Sequence, residues 1–364
     1  MNGHAKAAVM TVPNTDLEIV DYPLPEVEPG AILVKVECCT ICGSDIHSWS
    51  GRRPAPTPII LGHEIVGTVA EMGTEPMLDS LDQPLRIGDR ITWTLMNSCG
   101  RCFFCRQKGL PMKCRALTKC GHDRCDVPPH FVGGFAEYAY VMPGTAVIRV
   151  PAELSAVEVA PANCALATVV AGWEAAELRP FENVLILGAG ALGMYAAAFA
   201  AHAGCGRVIG TDTSARRLEF IRRFGATDTI AVGGMAEAAL IREVRERTEG
   251  RGADCVMEVA GVPGLIPLGL KCLRIGGRLV EIGNSFPDAN FTCDASDIVW
   301  RRLTIQGVHN YDARHLREGI QLLSQARDRF PFAEIVTHTV PLEAINAGLR
   351  LAQSGDAIRV AVIP

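Results

Sequence analysis

The chain reads as an α/β protein of two unlike parts, an irregular, mostly β part and then a doubly wound parallel sheet. Three observations predict this. In the first half, short β-branched stretches such as 31–37 and 65–71 are separated by glycine- and proline-rich loops, the pattern of many irregular strands. From residue 183 the rhythm changes to apolar strands alternating with helices. With 364 residues and 48% hydrophobic content, there is enough chain for about two or three domains with filled cores.

In the second half, Val184-Leu-Ile-Leu187 is a buried strand, 188–193 a glycine turn, and 191–203 a helix of small residues that packs closely. Strand 207–211, helix 215–224, strand 229–232 and helix 236–248 follow. Strand 254–258, helix 265–273 and strand 278–282 complete a doubly wound sheet. Near the end, 342–352 reads as a helix and 358–363 as a strand, and no internal repeat of about 20–50 residues is visible.

A net charge of -5 and a pI near 6.0 argue against a general nucleic-acid surface, which needs a basic patch. No apolar run reaches the roughly 20 residues that span a bilayer, so no membrane partner is expected. Residues 1–9 have no charged segment leading into an apolar core, so no export signal is expected and a cytoplasmic enzyme follows. Fourteen cysteines in such a chain point to metal binding and reduced thiols rather than a disulfide scaffold. Cys38, Cys39, Cys205, Cys255, Cys272 and Cys293 have core-like contexts, whereas Cys120 and Cys125 bracket a polar loop. The expectation for that pair is two solvated thiols, with a redox pair or a metal contact as the alternative.

Cys99, Cys102, Cys105 and Cys114 are close enough in sequence to converge on one tetrahedral Zn²⁺. Four thiolates close such a site, so it orders a loop and offers no position to a substrate. A second set of ligand types, Cys42, His63 and Cys164, is too dispersed for spacing alone to identify. Gly188, Gly190 and Gly193 form a dinucleotide fingerprint between an apolar strand and a helix. Asp212, at the end of the next strand, can bond both ribose hydroxyls and repel a 2′-phosphate, which favours NAD(H) over NADP(H). Arg216 and Arg217 pull the other way, and Arg217 is a candidate ribose contact.

The order CGSDIH, GHE, CxxCxxC(x8)C, Cys164 and then the glycine fingerprint resembles the zinc-dependent alcohol dehydrogenases of the medium-chain dehydrogenase/reductase family, nearly end to end. The resemblance implies a GroES-like catalytic domain over 1–165, a Rossmann NAD-binding domain over 166–308, and a return to the catalytic domain over 309–364. It implies two Zn²⁺ per chain, with Cys42, His63 and Cys164 as ligands of a catalytic zinc that keeps one position open. Ser44 and His47, in the CGSDIH turn, correspond to the family's proton relay, for which imidazole titrates in the right range. Asp45 and Glu64 are candidates to orient a ligand histidine. Thr168 corresponds to the residue packed on the nicotinamide, and Arg359 to one that reaches a pyrophosphate oxygen.

The implied reaction is hydride transfer between an alcohol and NAD(H), giving an aldehyde or ketone, in a homodimer or homotetramer. Polyol and bulky cyclic alcohols are alternative substrates. The polyol branch usually carries glutamate where Cys164 stands, which tilts away from it. A non-catalytic nucleotide- and zinc-binding scaffold or sensor is the rival of another class, and the complete ligand and relay set weighs against it. Two features depart from the pattern or stay unassigned: the lengthened link 74–84, expected to be a surface elaboration, and Arg52-Arg53, expected to be a solvated loop pair rather than an anion holder.

Overall fold

Contacts divide the chain into one unit of Met1–Cys164, Asp312–Ser324 and Phe332–Pro364, and another of Ala165–Tyr311 and Gln325–Pro331. The structure is a computed structural model that describes residues 3–74 and 77–364. Within the 309–364 stretch, Gln325–Pro331 packs with the second unit: Phe330 is 3% exposed, and the Arg329 guanidinium donates to the Ala201 carbonyl at 3.3 Å.

The first unit is built on a seven-stranded sheet. Its order is Val147–Arg149, Arg90–Trp93, Glu64–Met72, Ile32–Thr40, Arg359–Ile363, Val336–Pro341, with Tyr138–Val141 also pairing with Ile32–Thr40. Ile32, Leu33 and Val34 are wholly buried in succession, and only Lys35 and Glu37 of the strand Ile32–Thr40 reach the surface. A smaller sheet of His4–Met10, Glu18–Pro23 and Ile59–Ile60 encloses the same core, which includes Phe131 and Phe135. Registers matter for function. Thr40 lies opposite Glu64 on one side and opposite Ala361 on the other, so three strand ends converge.

The strand Val336–Pro341 is absent from the sequence expectation and pairs in parallel with Arg359–Ile363. The terminal helix runs Ile345–Ser354 and stops at Gly355, whose φ of +82° suits glycine. Of the lengthened link, Glu75 and Pro76 lie outside the described residues. The remainder folds around Asp79, whose carboxylate accepts the N–H groups of Leu81 and Gln83, and it exposes Leu78 and Leu81.

The second unit has six parallel strands: β1 (Asn183–Leu187), β2 (Arg207–Asp212), β3 (Asp228–Ala231), β4 (Ala253–Glu258), β5 (Leu273–Glu281) and β6 (Thr304–Gly307). Their order is β3-β2-β1-β4-β5-β6, a doubly wound sheet whose direction of winding reverses between β1 and β4. Leu185, Ile209, Val256 and Leu279 fill its core and are all completely buried. No single helix among the described residues is long and apolar enough to cross a membrane. The bent pair Ala156–Asn163 and Ala165–Ala175 passes on length and composition alone.

Candidate metal centres and nucleotide loop

Cys42 caps the helix Gly43–Trp49, so Ser44 and His47 stand on a helix and not in the turn expected for CGSDIH. Asp45 explains the helix. One carboxylate oxygen accepts the Cys42 N–H at 2.9 Å, closing a capping box, and the other accepts the Gly62 N–H at 3.2 Å and meets His63 Nδ1 at 3.1 Å. Gly62 has a φ of +85°, and a Cβ there would lie 2.6 Å from the Phe135 ring, so only glycine lets the chain turn into His63. With Nδ1 bonded to Asp45, Nε2 is the ring nitrogen left facing the cluster, where Ser44 Oγ stands 3.4 Å away, and against the cost of burial the Asp45 carboxylate pushes the imidazole pKa up to about 10.

Cys164 ends the 3₁₀ turn Ala160–Asn163, and Asn163 fixes that turn by donating to the Trp93 carbonyl at 3.2 Å. One ligand atom each from Cys42, His63, Glu64 and Cys164 lies within 4.8 Å of the others. A hydrogen bond from Cys164, then the Arg359 and His63 charges, hold the Cys42 thiol well below its ordinary range despite burial. The same bond and burial push Cys164 up. One thiolate is thus favoured already, and a set of two thiols, an imidazole and a carboxylate suits zinc.

Both oxygens of Glu64 are taken. Oε2 accepts from Thr40 Oγ1 at 2.5 Å and from Arg359 Nε at 3.1 Å, and Oε1 accepts from Arg359 Nη2 at 3.2 Å. The guanidinium of Arg359, the residue expected to reach a pyrophosphate oxygen, is buried, forks onto Glu64 and lies 3.8 Å from the Cys42 sulfur. Glu64 and the two thiols keep that guanidinium charged against the cost of burial.

His47 is half-buried one turn beyond Ser44. Burial, then Arg52 and Arg53, lower its pKa, so the imidazole is neutral at pH 7 and able to accept a proton. Arg53 braces the site. Its Nε and Nη2 donate to Ser48 Oγ at 3.2 and 2.9 Å, and Nη2 meets His122 Nε2 at 2.9 Å. His122 was not singled out from sequence. Its Nδ1 meets the Cys120 carbonyl at 2.9 Å, which leaves Nε2 to accept from Arg53, and its ring lies 5.2 Å from that of His63. Lys119 also feels the charges of Cys164, Cys42 and Asp45, and burial lowers its pKa. A histidine inside Gly121-His-Asp-Arg124 was the available signal for this group. Cys120 and Cys125 are not solvated loop thiols. Cys125 is fully buried beside the Tyr22 hydroxyl, burial pushes Cys120 up to about 12, and both are free.

The sulfurs of Cys99, Cys102, Cys105 and Cys114 form the second cluster, again within 4.8 Å of one another. Cys114 Sγ accepts the N–H groups of Cys99 and Ala116, each at 3.3 Å. Backbone N–H bonds from Arg115 and Cys105 pull Cys102 down to about 6, which favours the thiolate that a metal needs.

In the second unit, Gly188 has a φ of +107°, and a Cβ on it would sit 2.9 Å from Ala260. A Cβ on Gly193 would be 2.0 Å from the Gly188 carbonyl oxygen, whereas one on Gly190 would meet nothing within 4 Å, leaving its backbone open to a close ligand. Asp212 ends β2 and accepts the N–H groups of Ala189 at 2.8 Å and Ser214 at 2.9 Å. Arg217 is half-buried in the first turn of Ala215–Arg223, and Thr168 is buried on Ala165–Ala175.

Comparison with known proteins agrees with this layout. A family model for the alcohol dehydrogenase GroES-like domain matches residues 28–152, and one for the zinc-binding dehydrogenase matches 191–325. The 5-exo-hydroxycamphor dehydrogenase of Pseudomonas putida is 30% identical over 362 residues, covering 98% of each chain. The L-threonine 3-dehydrogenase of Pseudoalteromonas translucida is 30% identical over 346 residues, covering 94% of each. Among solved structures, an alcohol dehydrogenase of Thermotoga maritima superposes with a TM-score of 0.95 at 28% identity over 100% of both chains. A candidate zinc-binding dehydrogenase of Sinorhizobium meliloti, solved with NADP, gives 0.86 at 27% over 100% of both. The chain belongs to the zinc-dependent alcohol dehydrogenases of the medium-chain dehydrogenase/reductase family.

Proposed function

We propose that Cys42, His63 and Cys164 hold a catalytic Zn²⁺, that Ser44 and His47 carry the substrate proton, and that Thr168, Gly188, Gly190, Gly193, Asp212 and Arg217 bind NAD(H). The observation that carries this is the convergence of those ligand atoms within 4.8 Å, with Ser44 Oγ 3.4 Å from His63 Nε2. When bound, the zinc polarises the substrate oxygen and the nicotinamide exchanges the hydride. The chain's own residues do the rest. Asp45 fixes the His63 tautomer, Glu64 and Arg359 neutralise one another behind the thiols, and neutral His47 accepts a proton delivered through the Ser44 hydroxyl. Cys99, Cys102, Cys105 and Cys114 hold a second, structural zinc.

The substrate is a secondary or primary alcohol. A cyclic secondary alcohol is the second reading, favoured by the likeness to a hydroxycamphor dehydrogenase. A screen for NADH production across primary, cyclic, polyol and hydroxy-amino-acid alcohols, paired with metal analysis, tests the assignment. About two zinc ions per chain are expected in active enzyme, and full turnover with one would overturn it.

Two variants probe the named roles. His47→Gln should slow alcohol oxidation about 10²-fold near neutral pH and recover as hydroxide replaces the imidazole base. A pH–rate profile parallel to the parent's would remove His47 from the relay. Asp212→Gly loses a carboxylate that repels a 2′-phosphate, so the NADP-to-NAD ratio of kcat/KM should rise about 10- to 100-fold. An unchanged ratio would show that Asp212 only tethers Ala189 and Ser214.

A cytoplasmic homo-oligomer fits the remaining surface. β6 is an exposed edge strand that carries Ile305, and the preceding helix Ala295–Arg301 carries Val299 and Trp300, which are 70% and 79% exposed. An open edge flanked by large apolar side chains invites pairing with another sheet.

A further inference from the structure

Glu258 ends β4 and Glu281 ends β5, and the two are register partners in adjacent parallel strands, so their carboxyls stand side by side at the C-terminal edge of the sheet. Glu258 is wholly buried. Its Oε1 accepts three successive backbone N–H groups, from Ala260 and Gly261 at 2.9 Å and from Val262 at 3.4 Å. The Asn284 side-chain amide donates to both acids, to Glu258 Oε2 at 3.2 Å and to Glu281 Oε1 at 2.8 Å. Glu281 Oε2 is buried and accepts from no donor group among the described residues, which leaves the other acid as its partner.

Two carboxylates side by side, one of them wholly buried, do not both stay ionised. Burial first, and then Glu281, push Glu258 up to about 8. The flanking strands bring no compensating charge, because the register partner of Glu258 on β1 is Leu187 and that of Glu281 on β6 is Gly307. The loop Ala260-Gly-Val262 and Asn284 bring none either.

The position of this pair gives it consequence. Ligands of a doubly wound sheet sit outside the carboxyl ends of the strands where the winding reverses, which here is between β1 and β4. The loop that Glu258 holds lies against the fingerprint, since a Cβ on Gly188 would be 2.9 Å from both Cβ and N of Ala260. It is equally tight on its other side, where a Cβ on Gly283 would be 2.4 Å from Glu258 Oε2 and from the Gly261 nitrogen.

We propose that Glu258 and Glu281 share one proton and that the singly protonated pair positions the 260–262 loop against Gly188, so that NAD(H) affinity depends on that proton. This rests on Gly188–Gly193 being the nucleotide loop. When the pH rises through the range of the pair, the proton leaves to solvent and two like charges face one another. The pair then separates, and the loop it grips by three amides moves off the fingerprint turn.

The sign is fixed by the direction of the shift. A carboxyl with a raised pKa favours the ordered state below that pKa, and the advantage is lost as pH rises through about 8. Fluorescence titration of the zinc-loaded full chain with NADH should therefore show binding about tenfold weaker near pH 9.5 than near pH 7. Glu281→Gln keeps the shape and removes the second charge. It should bind NADH within about twofold of the parent near pH 7 and show a shallower profile, because burial still raises Glu258 while no second charge faces it, with circular dichroism confirming the fold. Glu258→Gln keeps an acceptor for the three N–H groups, removes the titrating acid, should be flat, and serves if the first variant does not fold. A parent profile that is flat through pH 9.5, or variants as pH-dependent as the parent, would overturn the inference alone. Absence of NADH binding at every pH would overturn the nucleotide-loop reading and this inference with it.

Discussion

Cys164→Ala is expected to lose alcohol turnover by about 10³-fold or more while keeping one of its two zinc ions. The substitution removes one of three proposed ligands from the inner cluster and none from Cys99, Cys102, Cys105 and Cys114. Polarisation of the substrate oxygen is worth several kcal/mol, and each 1.36 kcal/mol is about tenfold in rate. Cys164 caps a short turn that Asn163 anchors separately through Trp93, so the fold should survive. Metal analysis and steady-state rates on the same preparation check it. Near-parental turnover would remove Cys164 from the centre.

Arg359→Met should produce the largest loss of stability. The Glu64 carboxylate would then be buried beside two thiols with only Thr40 to bond it, and orphaning one member of a buried ion pair costs about 3–5 kcal/mol. For a unit of this size that is a fall in melting temperature of roughly 6–20 °C. Adding Glu64→Gln removes the stranded charge and should recover much of the loss, which separates an ion-pair effect from simple loss of packing. A single variant that melts with the parent would show that the pair contributes nothing.

What the sequence disclosed and what it concealed differ by the range of the interaction involved. The four thiols of the loop are legible because a metal knot closed within sixteen residues leaves its signature in spacing. The doubly wound sheet is legible because each strand buried on both faces is a short apolar run, as in Val184-Leu-Ile-Leu187. Cys42, His63 and Cys164 are dispersed, and only resemblance selects them. The helix at Gly43–Trp49 was hidden because its first residues favour turns, while the capping carboxylate of Asp45 acts through space on Cys42 and Gly62. Cys125 looked solvated because its sequence neighbours are polar, although the chain folds it into the core. The Glu64–Arg359 and Arg53–His122 contacts, and the facing of Glu258 by Glu281, depend on register or tertiary approach. Local patterns do not encode such contacts.

The salt link between Glu64 and Arg359 joins positions 295 residues apart. On a ribosome adding about 5–20 residues per second, Glu64 emerges roughly 15–60 s before the guanidinium that neutralises it. Through that interval the nascent polypeptide carries the thiol of Cys42 and the acid of Glu64 without their cation. The ion pair behind the inner cluster is therefore completed only once the last strand is placed beside Ile32–Thr40, whereas the four-cysteine loop has all its ligands within one early stretch of translation.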